Sequence, residues 1–148
     1  MTHHTASPKN RPLRDDDDLR ALLEFIVQSA RRRQVWLLFI DDRDRLTEPL
    51  VPIDGYPADP HAMTVVPDLG EVTEASLLLQ RAEMMRDALD AASVVIMWER
   101  PGARSIGLDD REWATAMRDA AFAHGIPLRA QYLLHSRGVR QIQVDDLG

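Results

Sequence analysis

Hydrophobic and polar positions alternate along this chain with two distinct periods, and the switches between them mark the elements. Leu19, Leu22, Leu23, Ile26, Val27 and Ala30 recur at helical spacing and form one apolar stripe, which predicts a first helix. Asp15–Asp18 precede it and suit its positive end, and Arg31–Arg33 follow where cations are favoured. Val35–Ile40 is apolar at every position and too short for a free helix, so it reads as a strand buried on both faces. A second strand is expected over Glu48–Asp54, at an edge, because Pro49 and Pro52 lack backbone donors. Gly55–Gly70 reads as a long proline-rich loop, with a short strand at Met63–Val66.

The second half is punctuated more sharply. A second helix is predicted over Thr73–Ala91, capped by Thr73, with Leu78, Ala82, Met85 and Leu89 on one face. Ser93–Trp98 is another buried strand. Asp109 and Glu112 have the spacing of a capping box and predict the start of a third helix at Asp109. Its buried stripe is Trp113, Ala116, Met117, Ala120 and Ala121, and Gly125 ends it as a left-handed cap. Leu128–Leu134 and Val139–Val144 then form a hairpin about Ser136-Arg137-Gly138. The predicted order is α-β-β-α-β-α-β-β: an α/β (mixed α+β) chain with a mixed sheet flanked by helices.

Composition narrows the chemistry. At 148 residues the chain fits one domain, taken as residues 15–148 behind a disordered tail over residues 1–14. Its net charge of −6 argues against a broad nucleic-acid footprint. There is no Cys, which excludes disulfides and thiolate metal sites and fits a cytoplasmic setting. No apolar run approaches the ~20 residues of a membrane span. There is no phosphate loop, nucleophile elbow or H-E-x-x-H. Glu48, Asp54, Glu99, Asp109 and Asp110 are carboxylates that could gather at strand ends, and Glu99 is the one without a local explanation. Arg100 or Arg104 is its nearest expected partner.

The succession VWLLFIDDRDRL, ALDAASVVIMWERPG and REWATAMRDAAFAHGIPLRAQYLLHSRGVRQI resembles the JAB/MPN superfamily, and within it the JAB-type domain of RadC-like proteins. The resemblance covers Asp15–Val144. It implies a JAB/MPN-like mixed sheet. In active members, H-x-H-P after the strand and S-x-x-D further on hold zinc, and an upstream Glu activates the metal-bound water. Here the two His positions are Trp98 and Arg100, Pro101 matches the Pro, and the Ser and Asp positions are Leu108 and Arg111. Glu48 stands at the place of the upstream Glu. Trp offers no lone pair and Arg is permanently cationic, so the resemblance implies a domain that has lost its metal site and needs no cofactor.

The expected function is therefore non-catalytic: a protein-binding or scaffold module, with another protein as partner and neither nucleic acid nor membrane in direct contact. Trp98, Glu99, Arg100 and Arg104 are the candidate binding residues, because Trp and Arg are enriched at interface hot spots. In the competing reading Trp98 fills the vacated pocket and Arg100 pairs with Glu99. Two further functions stay open. One is a metal-dependent peptide or isopeptide hydrolase with a relocated site drawn from Glu48, Asp54 or Glu99 with His135. The other is a DNA-repair accessory role by RadC analogy, which a basic stripe on the folded surface would favour.

Overall fold

The computed structural model describes residues 12–147. Helix α1 (Asp16–Val27) leads into β1 (Gln34–Ile40) and β2 (Val51–Asp54). A small ribbon of β3 (Met63–Val66) and β4 (Gly70–Thr73) follows, then α2 (Glu74–Ala88), β5 (Ser93–Glu99), α3 (Leu108–His124), β6 (Leu128–His135) and β7 (Gly138–Ile142). A short 3-10 helix, Val144–Leu147, completes the described chain.

Five strands form one mixed sheet in the order β2-β1-β5-β6-β7. β1 is antiparallel to both β2 and β5, β5 and β6 are parallel across the α3 crossover, and β6 and β7 form the hairpin. Helices cover both faces. α2 and α3 pack over Val35, Leu37, Phe39, Val94, Ile96, Trp98 and Leu133. α1 packs over Leu38, Ile40, Val95, Met97, Tyr132 and Leu134. This explains the continuous apolar runs: β1 and β5 are interior strands whose alternate side chains enter two different cores.

The mixed α/β architecture and the order of the main elements match the sequence expectation. Four local readings are corrected. β4 was not expected, and it pairs with β3 to make the ribbon within the proline-rich segment. The disordered tail does not extend to residue 14, because Leu13 is 2% exposed and its N–H donates to Asp44 O; an apolar side chain beside the α1 core is better buried than left in water. Residues 1–11 of that tail lie outside the described residues. Arg31–Arg33 do not cap α1, which ends at Val27 with no basic residue in its last turn. Asp109 does not cap α3. Gly107 is the N-cap, and the Asp110 carboxylate accepts its N–H at 2.8 Å. The cap lies two residues earlier than predicted, because Asp110 is the residue placed to close the box and also to meet Arg100. Two other caps are as predicted: Thr73 accepts an N–H group of its own first turn, and Gly125 is left-handed at φ 65°. Asp15, expected only to complement the positive end of α1, accepts the Asp18 N–H as its N-cap.

Candidate functional site

Glu99 ends β5 and Gln34 begins β1, and the antiparallel register sets them opposite each other. Asp54 at the end of β2 faces Gln34 from the other side. All three therefore lie at one end of the sheet, on the α1 face. The Glu99 side chain is 3% exposed and accepts four hydrogen bonds. Its Oε2 takes the backbone N–H groups of Arg31 (2.7 Å) and Arg32 (3.2 Å). Its Oε1 takes Gln34 Nε2 (2.7 Å) and Trp36 Nε1 (2.9 Å). Burial alone would raise its pKa, but these donors outweigh it and hold the carboxyl below its usual value, so Glu99 is ionised. It is paired with neither Arg100 nor Arg104.

Above this carboxylate lies a cleft of about 500 Å³. Its walls are Ile26, Val27, Trp36, Pro52 and Leu134, and Gln28, Arg31 and Arg32 line it as well. Gln28 has φ 67° and ψ −71°, a strained γ-turn conformation for a non-glycine residue. The turn is tied down at Ala30, whose N–H donates to His135 O at 2.9 Å.

The opposite face of the same sheet end is filled by aromatic packing. Trp98, Trp113 and Tyr56 meet pairwise with ring centroids 5.1–5.6 Å apart. Trp98 is 1% exposed, and its Nε1 donates to Gln131 Oε1, whose amide in turn donates to Ala114 O. Arg33 stacks over Tyr56 at 3.8 Å and donates to the carbonyls of Tyr56 and Pro57. Burial raises the Tyr56 phenol above its usual value, partly offset by that arginine.

Arg100 leaves this layer toward α3. It makes a two-pronged pair with Asp110, 2.7 Å at the closest, and donates to Ala103 O and Ser105 O. One side chain thus folds the loop between β5 and α3. His135 is 4% exposed, and its Nδ1 accepts from Arg137 N. Burial, with Arg104, Arg100 and Arg140 nearby and only Glu24 opposing them, lowers its pKa and keeps it neutral.

The four candidate binding residues therefore do not form one exposed surface. Trp98 belongs to the core, which corrects its placement on an accessible rim. Glu99 and Arg100 are engaged by internal donors and acceptors. Only Arg104 is exposed. The relocated hydrolase set is not brought together either. Glu99 and His135 emerge on opposite faces, since Glu99 pairs with Leu134 and His135 is the next residue along β6. Glu48 follows Thr47, whose N–H donates to Phe39 O at the far end of β1. Among the described residues, no group of three or more His, Cys, Asp or Glu side chains is placed to hold a metal ion. No described helix is long and apolar enough to cross a membrane.

Sequence reasoning missed Gln34, Trp36 and the Arg31-Arg32 backbone as the surroundings of Glu99. A signal was present. β1 and β5 are each seven residues long, and one begins and the other ends on a polar residue. Antiparallel pairing in full register must bring those two residues together.

Neither a protein-family model nor a curated protein sequence matches this chain.

Proposed function

We propose that this chain is a non-catalytic binding domain whose partner is another protein. The observation that supports this most is the state of Glu99. A carboxylate serving as general base or metal ligand needs a free lone pair directed at its target. Both Glu99 oxygens already accept two hydrogen bonds each, and Asp110 is occupied by Arg100 and Gly107. The buried polar groups of this sheet end thus work as fasteners, and the cleft above them keeps apolar walls. The resemblance to JAB/MPN domains agrees with this reading, because Trp98 and Arg100 stand where that family places its two zinc-binding histidines.

The test combines two measurements on the full chain purified without an affinity tag. Elemental analysis and zinc titration should show no stoichiometric metal, and fluorescent casein should not be cleaved. Crosslinking in extract of the source cells, followed by reconstitution with the purified candidate, should give a defined complex by light scattering. One bound zinc per chain together with peptide-bond cleavage would refute the proposal.

The DNA-accessory reading has one observation in its favour. The topology collects Arg31, Arg32, Arg33, Arg100, Arg104 and Arg137 at one end of the sheet, although the whole chain is acidic. Two exposed carboxylates, Asp54 and Asp109, lie at the same end and weaken its appeal to a phosphate backbone.

A further inference from the structure

Resting on the binding-domain reading above, we infer that the cleft over Glu99 is a peptide-docking site, and that its occupant is an acidic segment of a partner protein carrying an aromatic or aliphatic anchor residue. Three features of the cleft carry this.

The first is its lining. Ile26, Val27, Trp36, Pro52 and Leu134 make an apolar wall around about 500 Å³, enough for one or two side chains rather than for a flat contact.

The second is the charge at its rim. Arg31 and Arg32 are both exposed, and neither guanidinium lies within ion-pair distance of a carboxylate among the described residues. They give Glu99 only their backbone N–H groups, so the buried negative charge is compensated without using either side chain. The cleft lining consequently shows a ligand two free cations and one carboxylate whose lone pairs are taken, with the exposed Asp54 outside that lining. Charge complementarity selects an acidic ligand.

The third is preorganisation. The segment carrying both arginines is held at Ala30 by His135 O and at Arg31 and Arg32 by Glu99, and it begins at the strained Gln28. A backbone fixed in advance loses less entropy when its side chains engage a ligand. It also explains why a charged residue is buried here: Glu99 shapes the loop that presents the arginines.

A peptide is favoured over a nucleic acid by the form of the site. Single-stranded nucleic acid is held by a basic track with open aromatic faces for stacking. Here the Trp36 indole is fastened through its Nε1 to Glu99 and forms part of a wall, and the two cations are neighbours on a single loop rather than spaced along a track.

The experiment pans a random dodecapeptide display library on the full chain. Enriched sequences are then made as fluorescein-labelled peptides and measured by anisotropy. Enrichment of acidic residues next to Phe, Trp, Leu or Ile is expected. Arg31→Glu with Arg32→Glu should weaken binding by about tenfold or more. Arg43→Glu with Arg45→Glu, at the opposite end of β1, should leave it unchanged. If charge reversal disturbs folding by circular dichroism, Arg31→Ala with Arg32→Ala gives the same comparison. Enriched peptides without acidic residues, or binding indifferent to Arg31 and Arg32, would overturn the assignment while leaving a binding domain that uses another surface. A labelled single-stranded oligonucleotide that binds more tightly than the peptides, and is lost in the same variant, would replace the peptide by nucleic acid. No enrichment at all, with a defined protein complex still formed, would remove this cleft and not the binding function.

Discussion

Replacing Glu99 with Gln removes one charge and almost no volume, so it isolates the role of the carboxylate. The side chain accepts four hydrogen bonds, two of them from backbone N–H groups that cannot turn away. A carboxamide keeps one acceptor oxygen and turns an NH2 group toward the other pair of donors. At about 1.5 kcal/mol for each hydrogen bond to a charged group, losing two costs about 3 kcal/mol. Water entering the open cleft returns part of that, so urea unfolding at neutral pH should show a loss of about 2–3 kcal/mol. The effect should also depend on pH. The Glu99 pKa is depressed in the folded protein, so its contribution is present above the ordinary carboxylate value and is lost as pH falls through the folded value. Gln does not titrate, and the gap between wild type and Glu99→Gln should therefore narrow steadily as the solution is acidified below about pH 4.5. A loss under about 1 kcal/mol at neutral pH, or a gap constant down to the acid limit of the wild-type fold, would refute the argument that four donors hold an ionised carboxylate.

Three further outcomes can be checked in the same way. Trp98→Ala should cost roughly 3–5 kcal/mol in urea unfolding, because it opens the aromatic cluster and orphans Gln131; a cost near zero would contradict its place in the core. Asp109→Ala should change the denaturant midpoint little, whereas Asp110→Ala, which loses the cap and leaves Arg100 without its carboxylate, should cost about 2–4 kcal/mol; the reverse order would move the helix start back to Asp109. His135 is held neutral by burial and by the neighbouring arginines, so its folded pKa lies below its unfolded one. Its contribution is complete above the unfolded value and falls as pH drops toward the folded value, so stability should decline as the solution is acidified below about pH 6.5, and His135→Gln should flatten that decline.

Local pattern was enough for most of the framework. The α1 stripe, the two fully apolar strands, Thr73 as a cap and Gly125 as a helix stop are properties of short stretches, and hydrogen bonding within a few residues enforces them. Errors arose where two local rules competed. Asp109 and Asp110 both stand near the start of α3, and the choice between them depends on Arg100, ten residues away, which only Asp110 meets. β4 was hidden because Gly70–Thr73 gains its strand partner from β3. Leu13 was assigned to the tail because nothing in its neighbours shows that Asp44 O and the α1 core receive it.

The candidate site was scarcely legible, and the reason is one of range. The sequence by itself determined that Trp98, Glu99 and Arg100 follow one another at the end of a strand, and that such a position carries chemistry in α/β folds. It also determined that strand alternation sends Glu99 to the face opposite Trp98 and Arg100. What each face meets was decided only by tertiary structure. Trp98 is a core residue because α3 and Tyr56 close over it, and Arg100 is a loop fastener because Asp110 is within reach. Glu99 is a fixed, ionised acceptor because a loop from 67 and 68 residues earlier in the chain turns two N–H groups toward it. A buried charge is tolerated only where donors surround it, and no stretch of sequence around Glu99 contains those donors. They come from the register of β1 on β5, which is fixed by burying the apolar residues of both strands in two cores at once.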